Sequence, residues 1–254
     1  MKQTKSIHYK FTQHETFLDD IINNYESKGE DFGNQKRNSL KLFKLEGKRL
    51  NVKSFKIPNM VNQIAYGFLR RSKAQRSFEY AQKLQSLDIG TPQPVAYYQF
   101  SKSFLFKKSY YISEHQDYDL TYRELTHDFN YPDYDAVLRA FTRFTYKMHI
   151  KGIKFLDHSP GNTLIKKSEN GYDFYLVDLN RMEFKQMGFE ERIKNFDRLT
   201  IHKSMVEIMS DEYAKVSGED YETIVRLMWQ FTEEFQAKHH KKQRMKKRLK
   251  FWKK

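Results

Sequence analysis

Asp157 and Asn162 stand five positions apart in FLDHSPGNTLI (155–165), and a second acid, Asp178, closes the apolar run FYLVD (174–178). Two carboxylates and an amide on loops beside short strands make a set of hard oxygen donors. Such a set suits phosphoryl transfer from a nucleotide. That reaction needs a divalent cation held by oxygen, a group that orients the attacking hydroxyl, and a cation on the phosphates that stay behind. In that chemistry Asp157 accepts or aligns the acceptor's hydroxyl proton, and Asp178 bridges phosphate oxygens through magnesium. Asn162 contributes a neutral carbonyl that limits repulsion between the acids, and Pro160-Gly161 supply a turn that brings it back. The same residue types are ordinary turn formers, so the set gains meaning only with parts that lie upstream.

Two upstream residues complete it. Lys53 sits mid-strand in RLNVKSFK (49–56) and can reach the α- and β-phosphates, although a strand lysine is often a solvated edge residue. Glu79, on the next helix, can hold that lysine by an ion pair, or can pair locally with Lys83 at i, i+4. His149 and His158 flank the motif and read as a helix-end packing residue and a loop residue, without partners for a metal site.

The elements that must position these residues follow from periodicity. Phe17, Ile21 and Tyr25 make a short amphipathic helix over 16–27, and GNQKRNS (33–39) reads as a polar loop. Strands are predicted at 39–45 and 49–56 about a Glu46-Gly47 turn, then a helix from Asn59 to about Leu87 with a basic middle at Arg70, Arg71, Lys73 and Arg76. GTPQP (90–94) ends it, and strands follow at 95–100 and 104–113. Val137, Phe141, Phe144 and Met148 phase a helix over 134–151. Strands at 163–166 and 173–178 turn at Glu169-Asn170-Gly171, and from about 188 the rest is helical, with a capping box of Ser217 and Asp220.

The order of strand Lys, helix Glu, two strands, helix, Asp-x4-Asn, strand and Asp resembles the protein-kinase-like superfamily. At finer grain the chain resembles the lipopolysaccharide core kinase family (the Kdo/WaaP group), over roughly residues 30 to 235. LNVKSF, RSFEYAQKLQSLDIGTPQPVAYY, YYISE, MHIKGIKFLDHSPGNTLI and YLVDLNRM carry the resemblance. It implies an α+β, two-lobed protein-kinase-like fold: a small antiparallel β-rich N-lobe (1–113), a helical catalytic C-lobe (114–237) and a basic amphipathic tail (238–254). It implies a kinase that uses ATP and Mg2+ and acts on a sugar hydroxyl of the lipopolysaccharide inner core, with Kdo of Kdo-lipid A as the expected acceptor. By the same resemblance Lys53 is the phosphate lysine, Glu79 its partner, Asp157 the catalytic acid, and Asn162 and Asp178 the metal ligands. The backbone of Glu114 and His115 would face adenine, and Arg37 and Asn38 would cover the phosphates.

The chain departs from protein kinases at several points. There is no G-x-G-x-x-G, Phe155 stands two before Asp157 where His is usual, Leu179-Asn180 follows Asp178, and no A-P-E comes after. These departures suit a small-molecule or glycolipid acceptor. A phosphotransferase for a soluble sugar or aminoglycoside, and a non-catalytic RNA- or membrane-binding relative, are the alternatives.

Charge narrows the partners. The formal net charge is +14, and the segment Lys238–Lys254 holds ten basic residues and no acid, so the body is only mildly basic. Met245, Leu249 and Trp252 continue an apolar strip from Phe235, the pattern of an interfacial helix on an anionic membrane. Aromatics are too sparse there for a nucleic-acid stacking platform. Cysteine is absent, which excludes disulfides and thiolate chemistry, and MKQTKSIHYK leads into no apolar stretch of a secretory signal. The expected place is the cytoplasm, peripheral on the cytoplasmic face of the inner membrane.

Overall fold

The computed structural model describes residues 2–33, 38–57, 59, 63, 71–102 and 105–251, the side chains of 249–251 excepted. Two compact units emerge: residues 1–117 with 177–180, and residues 118–176 with 181–254.

The first unit is built on a six-stranded antiparallel sheet in the order β1-β5-β6-β4-β3-β2. Its strands are β1 (Lys2–Ile7), β2 (Glu30–Asp31), β3 (Ser39–Leu45), β4 (Lys48–Phe55), β5 (Pro94–Lys102) and β6 (Leu105–Glu114). Glu46 and Gly47 both take positive φ, 48° and 78°, which is the backbone twist a two-residue hairpin turn requires. Strand alternation divides β4: Leu50 and Val52 are fully buried in a cluster with Leu18, Ile21 and Tyr25 around helix α1 (Glu15–Asn23). Phe55 packs with Phe78 and Tyr97 against helix α2 (Lys73–Ser86). The helix predicted to run to residue 27 stops earlier, because Asn24 Nδ2 donates back to Asp20, to its carbonyl at 3.1 Å and its carboxylate at 2.7 Å. Helix α2 begins at a Ser72 cap whose hydroxyl accepts from Gln75 N at 3.0 Å. Most of the stretch expected to lead into it, Arg70 included, lies outside the described residues.

The second unit holds β7 (Leu120–Thr121), α3 (Tyr122–Leu125), α4 (Tyr134–Ile150), β8 (Ile153–Phe155), β9 (Thr163–Ser168), β10 (Gly171–Leu176), β11 (Met182–Phe184), α5 (Phe189–Lys194), α6 (Lys203–Ser217) and α7 (Tyr221–Phe251). Two small antiparallel sheets, β10-β9-β7 and β11-β8, bracket the motif residues. Val137, Phe141 and Met148 of α4 are fully buried as their spacing demands, and Phe144 stacks on Phe174 at 5.2 Å. The expected capping box is corrected: Asp220 alone caps α7, accepting from Thr223 N at 2.8 Å, whereas Ser217 ends α6 and bonds Tyr213 O. Gly218, at φ 74°, is the left-handed stop between the two helices. The basic residues from Lys238 lie on the unbroken continuation of α7 to Phe251.

Candidate active site

In the first unit, the pleat of β4 turns Lys53 away from the Leu50–Val52 core, with its ammonium 5.3 Å from the centre of the Phe55 ring. Lys53 Nζ donates to Asp178 Oδ1 at 2.8 Å, and Asn180 Nδ2 donates to the same oxygen at 2.6 Å. The strand predicted to end at Asp178 ends at Leu176. Asp178 then takes a left-handed backbone, φ 58°, which Asp tolerates better than most residues. With Oδ1 engaged twice, Oδ2 is the oxygen able to take a hard cation. Lysine and carboxylate are both mostly shielded, so the charge-assisted bond is stronger than a surface pair.

One expectation in this unit changes. Glu79 does not hold Lys53: its carboxylate accepts from Arg71 Nη1 at 2.8 Å and Gln75 Nε2 at 2.9 Å. Gln75 is one turn earlier on the same helix face, so the local partner is reached with little loop-closure entropy. The amides of Glu114 and His115 do not face a free edge. Glu114 N donates to Gln93 O at 2.9 Å and His115 N to Arg49 O at 2.7 Å, because β6 continues its pairing to that point. The imidazole of His115 lies edge-on to Phe32 at 5.2 Å, and burial lowers its pKa. Asn38 Oδ1 accepts from Lys56 N at 3.4 Å, tying the start of β3 to the end of β4. Arg37 lies outside the described residues.

In the second unit, β8 pairs Phe155 with Met182 and releases the chain into the loop that carries Asp157. Asn162 N donates to Ser159 O at 2.9 Å, and Asn162 Nδ2 donates to Asp157 O at 2.8 Å. The amide nitrogen thus closes the loop, and its oxygen is the atom available to a cation. A Cβ at Gly161 would stand 2.7 Å from Arg123 Nη2, the far end of an exposed side chain that can move aside. Asp157 itself is held by arginine. Arg198 Nη1 donates to Oδ1 at 3.1 Å and Arg181 Nη1 lies 3.9 Å from Oδ2.

Beneath the loop is a buried polar hub. Asn195 Nδ2 donates to Phe155 O at 2.8 Å, so its Oδ1, 3.2 Å from His149 Nε2, must accept. His149 therefore carries its proton on Nε2, and Nδ1 accepts from the Tyr213 hydroxyl at 3.2 Å. His158 Nδ1, 3.3 Å from Asn195 O, must likewise carry a proton. Burial pushes both imidazoles down, His149 to about 3 and His158 to about 4, so both are neutral. His158, expected as a loop residue, is as buried as His149. Among the described residues no group of three or more His, Cys, Asp and Glu is placed to hold a metal ion. Sequence reasoning missed Arg198 and Asn195, which sit in KNFDRLT (194–200) without any motif to mark them.

A model of the lipopolysaccharide kinase (Kdo/WaaP) family matches residues 29–227, most of the chain. No curated protein matches it. A solved structure described as WaaP in complex with acyl carrier protein matches with a TM-score of 0.63 at 14% identity, covering 95% of this chain and 99% of that one. At that identity the likeness establishes the fold, which is protein-kinase-like. The chain thus belongs to the lipopolysaccharide kinase (Kdo/WaaP) family, phosphotransferases with a sugar hydroxyl as acceptor.

Proposed function

We propose that the protein transfers the γ-phosphoryl group of ATP to a hydroxyl of Kdo in a lipid-linked inner-core acceptor, Kdo-lipid A. The observation that carries this reading is the Lys53–Asp178 ion pair, which joins a strand lysine to the acid after the hairpin. In the proposed reaction Lys53 binds the phosphates that are not transferred. Asp157 aligns the acceptor hydroxyl through a carboxylate oxygen and receives its proton.

Asn162 Oδ1 and Asp178 Oδ2 would hold magnesium. The fit rests on the donor set: each is a hard oxygen whose neighbouring polar atom is already engaged, Nδ2 by Asp157 O and Oδ1 by Lys53 and Asn180. Magnesium keeps several waters and binds substrate phosphates, so no dedicated cluster of protein carboxylates is needed. When bound it supplies neutralisation of phosphate charge.

A peripheral place on an anionic membrane is supported by α7, whose exposed end from Lys238 carries basic residues and no acid, with Met245 half exposed among them. No helix among the described residues is long and apolar enough to cross a membrane. At about 1 kcal/mol per basic residue near such a surface, even half of these charges give useful reversible binding.

The test is acceptor-dependent ADP release by the purified protein with ATP, magnesium and Kdo-lipid A. Turnover with that acceptor supports the reading. Turnover only with free sugars or aminoglycosides points to the soluble acceptor, and none with any acceptor points to a non-catalytic relative.

A further inference from the structure

We infer that Arg198, together with Arg181, forms an anion-binding subsite beside Asp157 that takes an acidic group of the acceptor. The inference rests on Asp157 as the acid that orients the acceptor hydroxyl, and it adds which acceptors that acid will serve.

A carboxylate that must accept a hydroxyl hydrogen bond needs a free oxygen. In this structure Arg198 Nη1 donates to Oδ1 at 3.1 Å, while Arg181 Nη1, 3.9 Å from Oδ2, is too far for a hydrogen bond and leaves that oxygen to the acceptor hydroxyl. All three side chains keep part of their surface open to solvent, 29% for Asp157, 31% for Arg198 and 53% for Arg181, so a ligand can reach them. Arg198 is not a loose surface cation. Its guanidinium carbon lies 5.1 Å from the centre of the Phe235 ring, and its Nε is 3.8 Å from Asp197 Oδ1. A planar fork with five N–H donors, held against an aromatic face, keeps donors to offer beyond the one that Asp157 takes.

Arg198 is shared between Asp157 and Asp197, and Lys154, Lys194 and Lys238 also act on Asp197, so the surroundings are basic. An incoming carboxylate or phosphate therefore competes with Asp157 for Arg198. When Arg198 bonds the acceptor's anion, it anchors the sugar so that the adjacent hydroxyl lies at Asp157, whose Oδ2 makes no hydrogen bond to a side chain among the described residues. A neutral acceptor makes no charge-assisted bond to Arg198 and lacks that anchor. The subsite thus selects a sugar with an acidic group next to the hydroxyl that is phosphorylated. Its placement fits a lipid-linked acceptor, because Phe235 lies on α7, the helix whose continuation carries the exposed lysines. From Phe235 to Arg248 that helix extends about 20 Å.

The experiment uses the full chain and calorimetric titration with inorganic phosphate, free Kdo and the methyl ester of Kdo. Binding of phosphate and Kdo, with ester binding much weaker, is expected for the unmodified protein. Arg198→Ala should weaken the anions at least about tenfold, as for loss of a hydrogen bond to a charged group. Arg198→Lys, which keeps the charge and preserves folding, should recover part of the loss. With Kdo-lipid A as acceptor, Arg198→Ala should raise KM far more than it lowers kcat, whereas Asp157→Asn should lower kcat. The proposal is overturned if neither anion binds the unmodified protein, if acid and ester bind equally, or if Arg198→Ala binds them unchanged. Phosphate binding that depends on Arg198, in a protein that does not phosphorylate Kdo-lipid A, would remove Kdo as acceptor and leave the subsite standing.

Discussion

The ammonium of Lys53 and the carboxylate of Asp178 lie 2.8 Å apart although 125 positions separate them in the chain. Only a fold that returns residues 177–180 to the sheet-bearing unit produces that pair. Asn180 donates to the same oxygen, so lysine, acid and amide act as one group. Lys53→Met and Asp178→Asn should each lower kcat/KM by about 100-fold or more, and the double variant should lose little beyond either single one. Losses that multiply would show that the two residues act separately.

Glu79 gives the opposite expectation. Its carboxylate is bound to Arg71 and Gln75, and the Arg71 side chain is two-thirds exposed. An exposed pair of this kind contributes about 1 kcal/mol or less. Glu79→Gln should therefore shift thermal stability little and lower kcat/KM by less than about tenfold. A loss as large as that of Lys53→Met would place Glu79 on Lys53 during turnover.

On the proposed reading, Asn162 links loop geometry to metal use. Asn162→Ala removes the bond from Nδ2 to Asp157 O, worth about 1 kcal/mol, and with it the carbonyl oxygen assigned to magnesium. The variant should melt slightly earlier and need more magnesium for half-maximal rate. An unchanged magnesium dependence would free Asn162 from that role.

Acid should destabilise the protein through its buried hub. His149 and His158 have folded-state pKa values lowered to about 3 and about 4, below an ordinary histidine. The unfolded chain takes up these protons first, so the stabilisation is complete above about pH 6.5 and is lost as pH falls to about 4 for His158 and about 3 for His149. Each histidine contributes up to about 1.4 kcal/mol per pH unit in that window. Melting temperatures read from pH 7.5 to pH 5 should fall, and less steeply in His158→Gln. A flat profile would mean that the hub admits protons without opening.

On the proposed membrane reading, residues 238–254 supply the charge for surface binding. Their deletion should weaken binding to vesicles rich in anionic lipid, most steeply at low ionic strength. Equal binding by the truncated chain would assign the lysines to solvent alone.

How much of this was legible in the sequence differs by residue. The hairpin of β3 and β4 was readable because Leu50 and Val52 alternate with polar neighbours and Glu46-Gly47 supplies the turn, all local signals. Strand β1 was not, since KQTKSI shows no apolar alternation and exists through its pairing with β5, some ninety residues on. Asp220, not Ser217, caps α7 because Gly218 has already ended the previous helix, a boundary that spacing alone does not reveal. In the candidate site, Lys53, Asp157, Asn162 and Asp178 were found by type and order, and the structure joins them as Lys53 with Asp178 and Asn162 with Asp157. Arg198 reaches Asp157 across 41 positions and Asn195 reaches Phe155 across 40. Neither contact has a local pattern, so only tertiary packing could disclose it.

The most direct measurement of the central claim is mass spectrometry of Kdo-lipid A after incubation with the protein, ATP and magnesium. The account predicts one added phosphate on the Kdo residue, absent with Asp157→Asn and with Lys53→Met. An unmodified lipid, or phosphate added equally by those variants, would contradict it.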